Sequence, residues 1–83
     1  AGKIGNYLKC GIPVVATNVV SLSYIKDYQC GVLINNLEDI HDAIKTISNN
    51  YSMYSQNARK CYHELWEPKN YLQVILNTLI EHN

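Results

Sequence analysis

The sequence predicts an α/β fold that combines two parallel strands with five helices. Two short, β-branched apolar runs predict the strands, and segments with helical spacing of apolar residues lie before, between and after them. A strand, a helix and a second strand in this order form a βαβ unit. Such a unit implies a parallel pair joined by a right-handed crossover.

The chain opens on a short helix that leads into the first strand. Residues 2–10 carry apolar residues four positions apart, as on one face of a helix. Gly11 suits the left-handed position that follows a helix, and Pro13 prevents the helix from continuing. Residues 13–18, "PVVATN", then predict the first strand, because proline is tolerated at the first position of a strand.

A brief helix over residues 21–28 connects this strand to the second one. Leu22, Ile25 and Tyr28 stand at helical spacing within it. The run "GVLI" at residues 31–34 predicts the second strand, which ends in two asparagines.

Three further helices follow the second strand. Asn36 is the expected N-cap of the first of them, Ser52 begins the next, and Pro68 lies in the first turn of the last. Their predicted apolar faces consist of Leu37, Ile40, Ile44 and Ile47 in the third helix, of Tyr54, Ala58, Cys61 and Leu65 in the fourth, and of Leu72, Ile75, Leu76 and Leu79 in the fifth.

Two parallel strands are too few for an independent sheet, and the chain begins on a helix that no strand precedes. We therefore expect the closing part of a larger, doubly wound (Rossmann-like) domain. In the strand order 3-2-1-4-5-6 the two strands would be the fifth and sixth, so the edge of residues 13–18 would lack its neighbour. Because an unpaired apolar edge is a template for association, we expect self-association through this edge or its coverage by another segment.

Composition excludes several classes of protein. The 83 residues carry 7 basic and 7 acidic side chains, so no basic surface for nucleic acid is expected. No apolar run is long enough for a membrane span. Three cysteines without a paired spacing favour reduced, buried thiols over disulfides or a zinc site. We therefore expect a cytoplasmic protein, with peripheral membrane attachment of a longer parent left open.

Three segments in order, "KIGNYLKCGIPVVATN", "YIKDYQCGVLINNLEDIHDAI" and "NARKCYHELWEPKNYLQVIL", cover most of the chain. Together they resemble the group 1 glycosyltransferases, a large family of retaining enzymes with the GT-B fold. The resemblance implies that residues 1–83 are the C-terminal part of a nucleotide-sugar-binding domain. It further implies a hexosyltransferase parent that transfers a sugar from a nucleotide-sugar donor to a hydroxyl acceptor, as in polysaccharide biosynthesis.

The resemblance also implies a donor site at the first helix. The family carries two acidic residues: the first contacts the donor sugar and would precede Ala1, and the second contacts the ribose and falls on Asn6. Independently, Gly2 and Lys3 begin the helix, where free N–H groups and the helix dipole favour a phosphate. Gly2 permits close approach, Lys3 adds a charge, and Asn6 shares the face of Lys3. From spacing alone, a solvated lysine and an ordinary helix amide remain the alternative.

We expect no catalytic residue in this chain, because the missing remainder of the parent would supply the catalytic groups. We also expect no metal ligand and no cofactor; the nucleotide sugar is a substrate. We expect the 83-residue piece to be inactive by itself. Two alternatives stay open: a non-catalytic GT-B homologue that acts as a binding or assembly partner, and a sugar-nucleotide epimerase. An acidic residue in a glycine-rich loop upstream of Ala1 would favour the enzyme.

Overall fold

A computed structural model describes residues 2–67 of the chain. In chain order, the elements are helix α1 (Gly2–Lys9), strand β1 (Val14–Thr17), a 3₁₀ turn (Val20–Leu22), helix α2 (Ser23–Asp27), strand β2 (Gly31–Ile34), a second 3₁₀ turn (Leu37–Asp39), helix α3 (Ile40–Asn49) and helix α4 (Tyr51–Leu65). Within residues 2–67 there are thus four of the five predicted α-helices. The predicted fifth, which would begin near Pro68, lies outside the described residues.

The two strands form a parallel pair, as predicted. The register aligns Val14 with Gly31 and continues to Thr17 opposite Ile34. The strand residues are fewer than the predicted 13–18, although the Asn18 N–H still donates to the Ile34 carbonyl at 2.9 Å. Gly31 is required here, because a Cβ at this position would collide with the Val14 carbonyl oxygen.

The main hydrophobic core lies on one face of this sheet. Its fully buried members come from α1, α2, the residue before β2, and α4: they are Leu8, Ile25, Cys30, Ala58 and Cys61. Side chains of both strands, among them Val14, Ala16 and Leu33, pack against this cluster. The core therefore joins α1, α2 and α4 to the same face of the sheet.

Helix α3 covers the opposite face. Its buried residues, Ala43 and Ile47, are outside the main core cluster, and the helix contacts both strands. Because successive strand residues point to opposite faces, Val15 and Val32 lie on the side that faces away from the main core. The sheet is thus covered by helices on both faces, which is the arrangement that parallel strands need.

The apolar face predicted for α3 is only partly right. Ile47 is buried, but Leu37 and Ile44 are 83% and 53% exposed, and Ala43 takes the place next to the sheet. The buried side of α3 is the one that Ala43 and Ile47 share, four residues apart, and Ile44 lies on its flank. Leu37 belongs to the 3₁₀ turn before the helix, outside the α-helical repeat. Asn36 precedes that turn, but its side chain makes no capping hydrogen bond.

The cysteines are free thiols, and two of the three are buried as predicted. Cys30 and Cys61 are fully buried in the core, whereas Cys10 is exposed, which corrects the expectation for that residue. Among residues 2–67 no helix is long and apolar enough to cross a bilayer.

Candidate functional site

Helix α1 and strand β1 run in opposite directions around a tight turn. Gly11 has a φ of +72°, the left-handed conformation predicted for it, and its N–H donates to the Leu8 carbonyl at 2.9 Å. The Ile12 N–H closes the turn on the Tyr7 carbonyl at 2.9 Å. Gly5, in the first half of α1, lies against Trp66, and Trp66 packs on Tyr24 in the helix that follows β1. The first half of α1 therefore lies toward the end of the sheet where β1 finishes.

Two of the predicted site residues, Lys3 and Asn6, lie on the solvent side of α1. Leu8 is fully buried and Ile4 half-buried, so these two residues fix the face of the helix that packs on the core. Lys3 and Asn6 are both exposed, and Gly2 is the first helical residue. The first turn of α1 contains no acidic side chain, so the helix carries no carboxylate of its own against its positive end.

A pair of asparagines marks the same edge of the sheet. Asn18 directly follows β1 and Asn35 directly follows β2, and the Asn18 Nδ2 donates to the Asn35 Oδ1 at 3.1 Å. In open α/β sheets, ligands bind outside the carboxyl ends of the strands. The sequence analysis did not select this pair, although an asparagine at the end of the first predicted strand and another directly after the second was a signal that could have found it.

The opposite side of α1 is held by a tryptophan. The Trp66 indole lies against Gly5, where an added Cβ would lie 2.7 Å from the indole Nε1. Trp66 packs edge-to-face on Tyr24, with ring centroids 5.3 Å apart, and stacks on Tyr62 at 6.3 Å. These contacts fix α1 relative to α2 and α4. The spacing of residues in the sequence did not indicate that the Trp66 ring packs against Gly5.

The motif Asn57-Ala58-Arg59, which carries part of the family resemblance, has a structural role. The Asn57 Nδ2 donates to the Gln29 carbonyl at 3.1 Å, in the turn before β2, and Ala58 is fully buried. The Arg59 guanidinium lies over Gly11, where an added Cβ would lie 2.6 Å from its Cζ. These contacts are at the amino ends of both strands, so the motif lies at the edge of the sheet opposite the N-terminus of α1.

A comparison with known protein families shows to which family the chain belongs. The family of glucosyltransferase 3-like C-terminal domains matches residues 1–78. The chain belongs to this family. No curated protein and no solved structure gives a significant match.

Family membership makes the chain a glucosyltransferase-like C-terminal segment, in agreement with the glycosyltransferase resemblance of its three motifs. The predicted site residues Gly2, Lys3 and Asn6 all belong to α1, and Asn18 and Asn35 follow the carboxyl ends of the two strands.

The cysteine and histidine side chains near the end of α4 do not form a metal site. The part of the chain from 2 to 67 contains no group of three or more potential metal ligands. Cys61 lies in the core, where a hydrogen bond with Cys30 and burial raise the pKa of its thiol, so it stays protonated and unreactive. His63 is on the surface, with its Nδ1 3.0 Å from a carboxylate oxygen of Glu67. Cys61 and His63 therefore do not act together as ligands.

Proposed function

We propose that residues 1–83 are the C-terminal part of the nucleotide-sugar-binding domain of a retaining GT-B glycosyltransferase. The intact parent would transfer a hexosyl group from a nucleotide-sugar donor to a hydroxyl acceptor, without a metal or another cofactor. The observation that carries the proposal is the family match over residues 1–78. The first turn of α1, which carries no acidic side chain, adds a local reason for a phosphate-containing ligand.

Each residue of the site has a distinct role in this proposal. The first N–H groups of α1 and the Lys3 ammonium would hold the diphosphate, and Gly2 would let it approach the backbone. Asn6 is one turn further along, about 4.5 Å by the helical rise, and would hydrogen-bond the ribose hydroxyls. Preorganised N–H groups and a positive charge stabilise the negative charge that develops on the departing diphosphate.

The isolated chain should bind the donor weakly and transfer no sugar. A helix N-terminus and one exposed charge together contribute roughly 1–3 kcal/mol, which does not offset the cost of immobilising a ligand. We therefore expect a donor dissociation constant no tighter than roughly millimolar. Titration with UDP-, GDP- and ADP-glucose, followed by the amide shifts of residues 2–7, measures it. Micromolar binding or sugar transfer by the 83-residue chain would contradict this part of the proposal.

The role of Asn6 is tested in the full-length parent. Asn6→Ala should weaken donor binding by roughly 1–2 kcal/mol, since one hydrogen-bonding group to the ribose is lost. Asn6→Glu, which restores the residue type that the resemblance implies, should keep or improve the affinity. Asn49→Ala, at an exposed helix position on α3, is the matched control and should leave donor affinity unchanged. Unchanged affinity in both Asn6 variants would remove Asn6 from the site.

Asn6 also supports a second candidate, a non-catalytic homologue that binds a partner or a sugar nucleotide without turnover. An amide still pairs with hydroxyls, but it lacks the charge-assisted acceptor of a carboxylate. If this candidate is correct, the wild-type parent should bind the donor without transferring sugar. The family favours transfer over the epimerase alternative, since its description is that of a glucosyltransferase.

A further inference from the structure

Strand β2 pairs with β1 along one edge and has a second, outer edge. The Val14 N–H donates to the Cys30 carbonyl at 3.3 Å, and the Asn18 N–H donates to the Ile34 carbonyl at 2.9 Å. In a parallel ladder, alternate residues of a strand bond to the same neighbour, so residues 30, 32 and 34 direct their backbone groups to β1. Residues 31, 33 and 35 direct theirs to the outer edge.

The outer edge of β2 offers the N–H and the carbonyl of Gly31, Leu33 and Asn35. Within residues 2–67, none of these backbone groups has a hydrogen-bond partner. The inference rests on the doubly wound order of the proposed function, in which β2 is the sixth and outermost strand. The parent's own sheet therefore supplies no neighbour for β2, whereas the fourth strand would occupy the outer edge of β1.

This edge carries little of the usual protection against pairing with another strand. Residues 30–36 include no charged side chain and no proline. A cleft of about 320 Å³ opens beside the edge, and its lining includes residues 31–33, Lys26, Gln29 and Tyr54. Lys26 is exposed and belongs to α2, and its flexible stem can turn the ammonium toward water. A further strand can therefore reach the free backbone groups of β2.

We propose that a second copy of the parent pairs antiparallel with this edge, about a two-fold axis at Leu33. In that register Leu33 faces Leu33 of the second copy, and the two residues exchange both of their hydrogen bonds. Gly31 lies opposite Asn35 of the second copy and also exchanges two bonds with it, and the symmetry repeats this pair. All the free backbone groups on both copies are then paired.

A second copy fits this edge because the free groups and the side chains are self-complementary. Val32 would lie opposite Ile34 of the second copy in the close, non-hydrogen-bonded pairs of the ladder. Both residues are β-branched and only half-buried, so the pairing covers apolar surface on the side of α3. Two-fold parallel pairing cannot use the same groups, since each residue in a parallel ladder bonds to the neighbours of the residue opposite, whose groups here point to β1. Two-fold pairing is also the commonest form of self-association.

The intact parent provides the first test, because its own sheet covers the outer edge of β1. Sedimentation velocity from roughly 0.1 to roughly 100 micromolar should show a monomer–dimer equilibrium. Hydrogen exchange resolved to single amides should find Leu33 and Asn35 protected in the dimer and fast in the diluted monomer, whereas Val32 and Ile34, which bond to β1, stay protected in both. A monomer over the whole range, a dimer without this change, or equal protection of Leu33 and Asn35 in the monomer would overturn the proposal.

A matched pair of variants at one position provides the second test. Asn35→Pro removes the N–H that bonds to Gly31 of the second copy, and the two-fold axis repeats the loss, so the dimer should weaken at least about tenfold. Asn35→Ala loses the same side chain, with its bond to Asn18, but keeps the N–H and should leave the dimer dissociation constant within about twofold. Equal dissociation constants for the two variants would contradict the proposed edge. If Asn35→Pro fails to fold, the concentration-dependent protection of Leu33 in the wild type decides.

Donor binding, measured on the same protein, separates this inference from the proposed function. A monomeric parent that binds the nucleotide sugar would overturn the dimer alone. A dimer with the protected amides that binds no donor would overturn the donor site alone.

Discussion

Gly5 is the position at which sequence and structure make opposite predictions. By helix propensity, Gly5→Ala should raise the free energy of unfolding by about 1 kcal/mol, because Gly5 lies within α1. In the structure, the new Cβ would lie 2.7 Å from the Trp66 Nε1 and 3.0 Å from its Cδ1. The ring is fixed by Tyr24 and Tyr62, so it cannot move without losing those contacts. Overpacking of this kind costs about 1–3 kcal/mol, and we expect Gly5→Ala to destabilise the chain by about 1 kcal/mol.

A double-mutant cycle tests this reasoning. Trp66→Leu removes the indole ring, so Gly5→Ala in that background should stabilise the chain by up to about 1 kcal/mol, a change of sign. Urea unfolding followed by far-UV circular dichroism, at a concentration that keeps the chain monomeric, gives the four free energies. Asn6→Ala, at the next and exposed position of α1, is the control and should stabilise slightly in both backgrounds. The same stabilising value for Gly5→Ala with and without Trp66 would refute the packing argument.

Three further predictions concern Gly11, Asn57 and Cys61. Gly11→Ala should lower the free energy of unfolding by about 1–2 kcal/mol because of the φ of +72°. Gly11→Asn adds the same Cβ, which would lie 2.6 Å from the Arg59 Cζ, but tolerates the left-handed backbone and should cost less; equal losses would assign the cost to the contact with Arg59 instead of backbone strain. Asn57→Ala should cost about 1 kcal/mol in the same urea titration, since its bond to the Gln29 carbonyl is lost, and no loss would show that this bond does not hold the turn. Because the hydrogen bond with Cys30 and burial raise the pKa of the Cys61 thiol, this thiol should make unfolding easier as pH rises above about 8.5, where the unfolded thiol loses its proton first; the lowered pKa of Cys30 opposes this in part. Cys61→Ala should reduce this slope, and an unchanged slope would assign the pH dependence to other groups.

Local signals were enough to predict the order of the elements and the parallel pair. The positive φ of Gly11, the break at Pro13 and the apolar run of residues 31–34 each depend on a few neighbouring residues, and backbone sterics act at that range. The position of Lys3 and Asn6 on one side of α1 also followed from helical spacing. The family resemblance was carried by the residues themselves and agrees with the family match.

Tertiary structure alone decided which surfaces these elements bury. The sequence predicted an apolar face on α3 that includes Leu37 and Ile44, yet the contacts of α3 with both strands bury the side that Ala43 and Ile47 share. Gly5 and Trp66 are far apart in the chain, so no local pattern reports that one must be small to admit the other. Helical spacing gives the relative angle of side chains around an axis, but close packing with distant residues sets which angle faces the core.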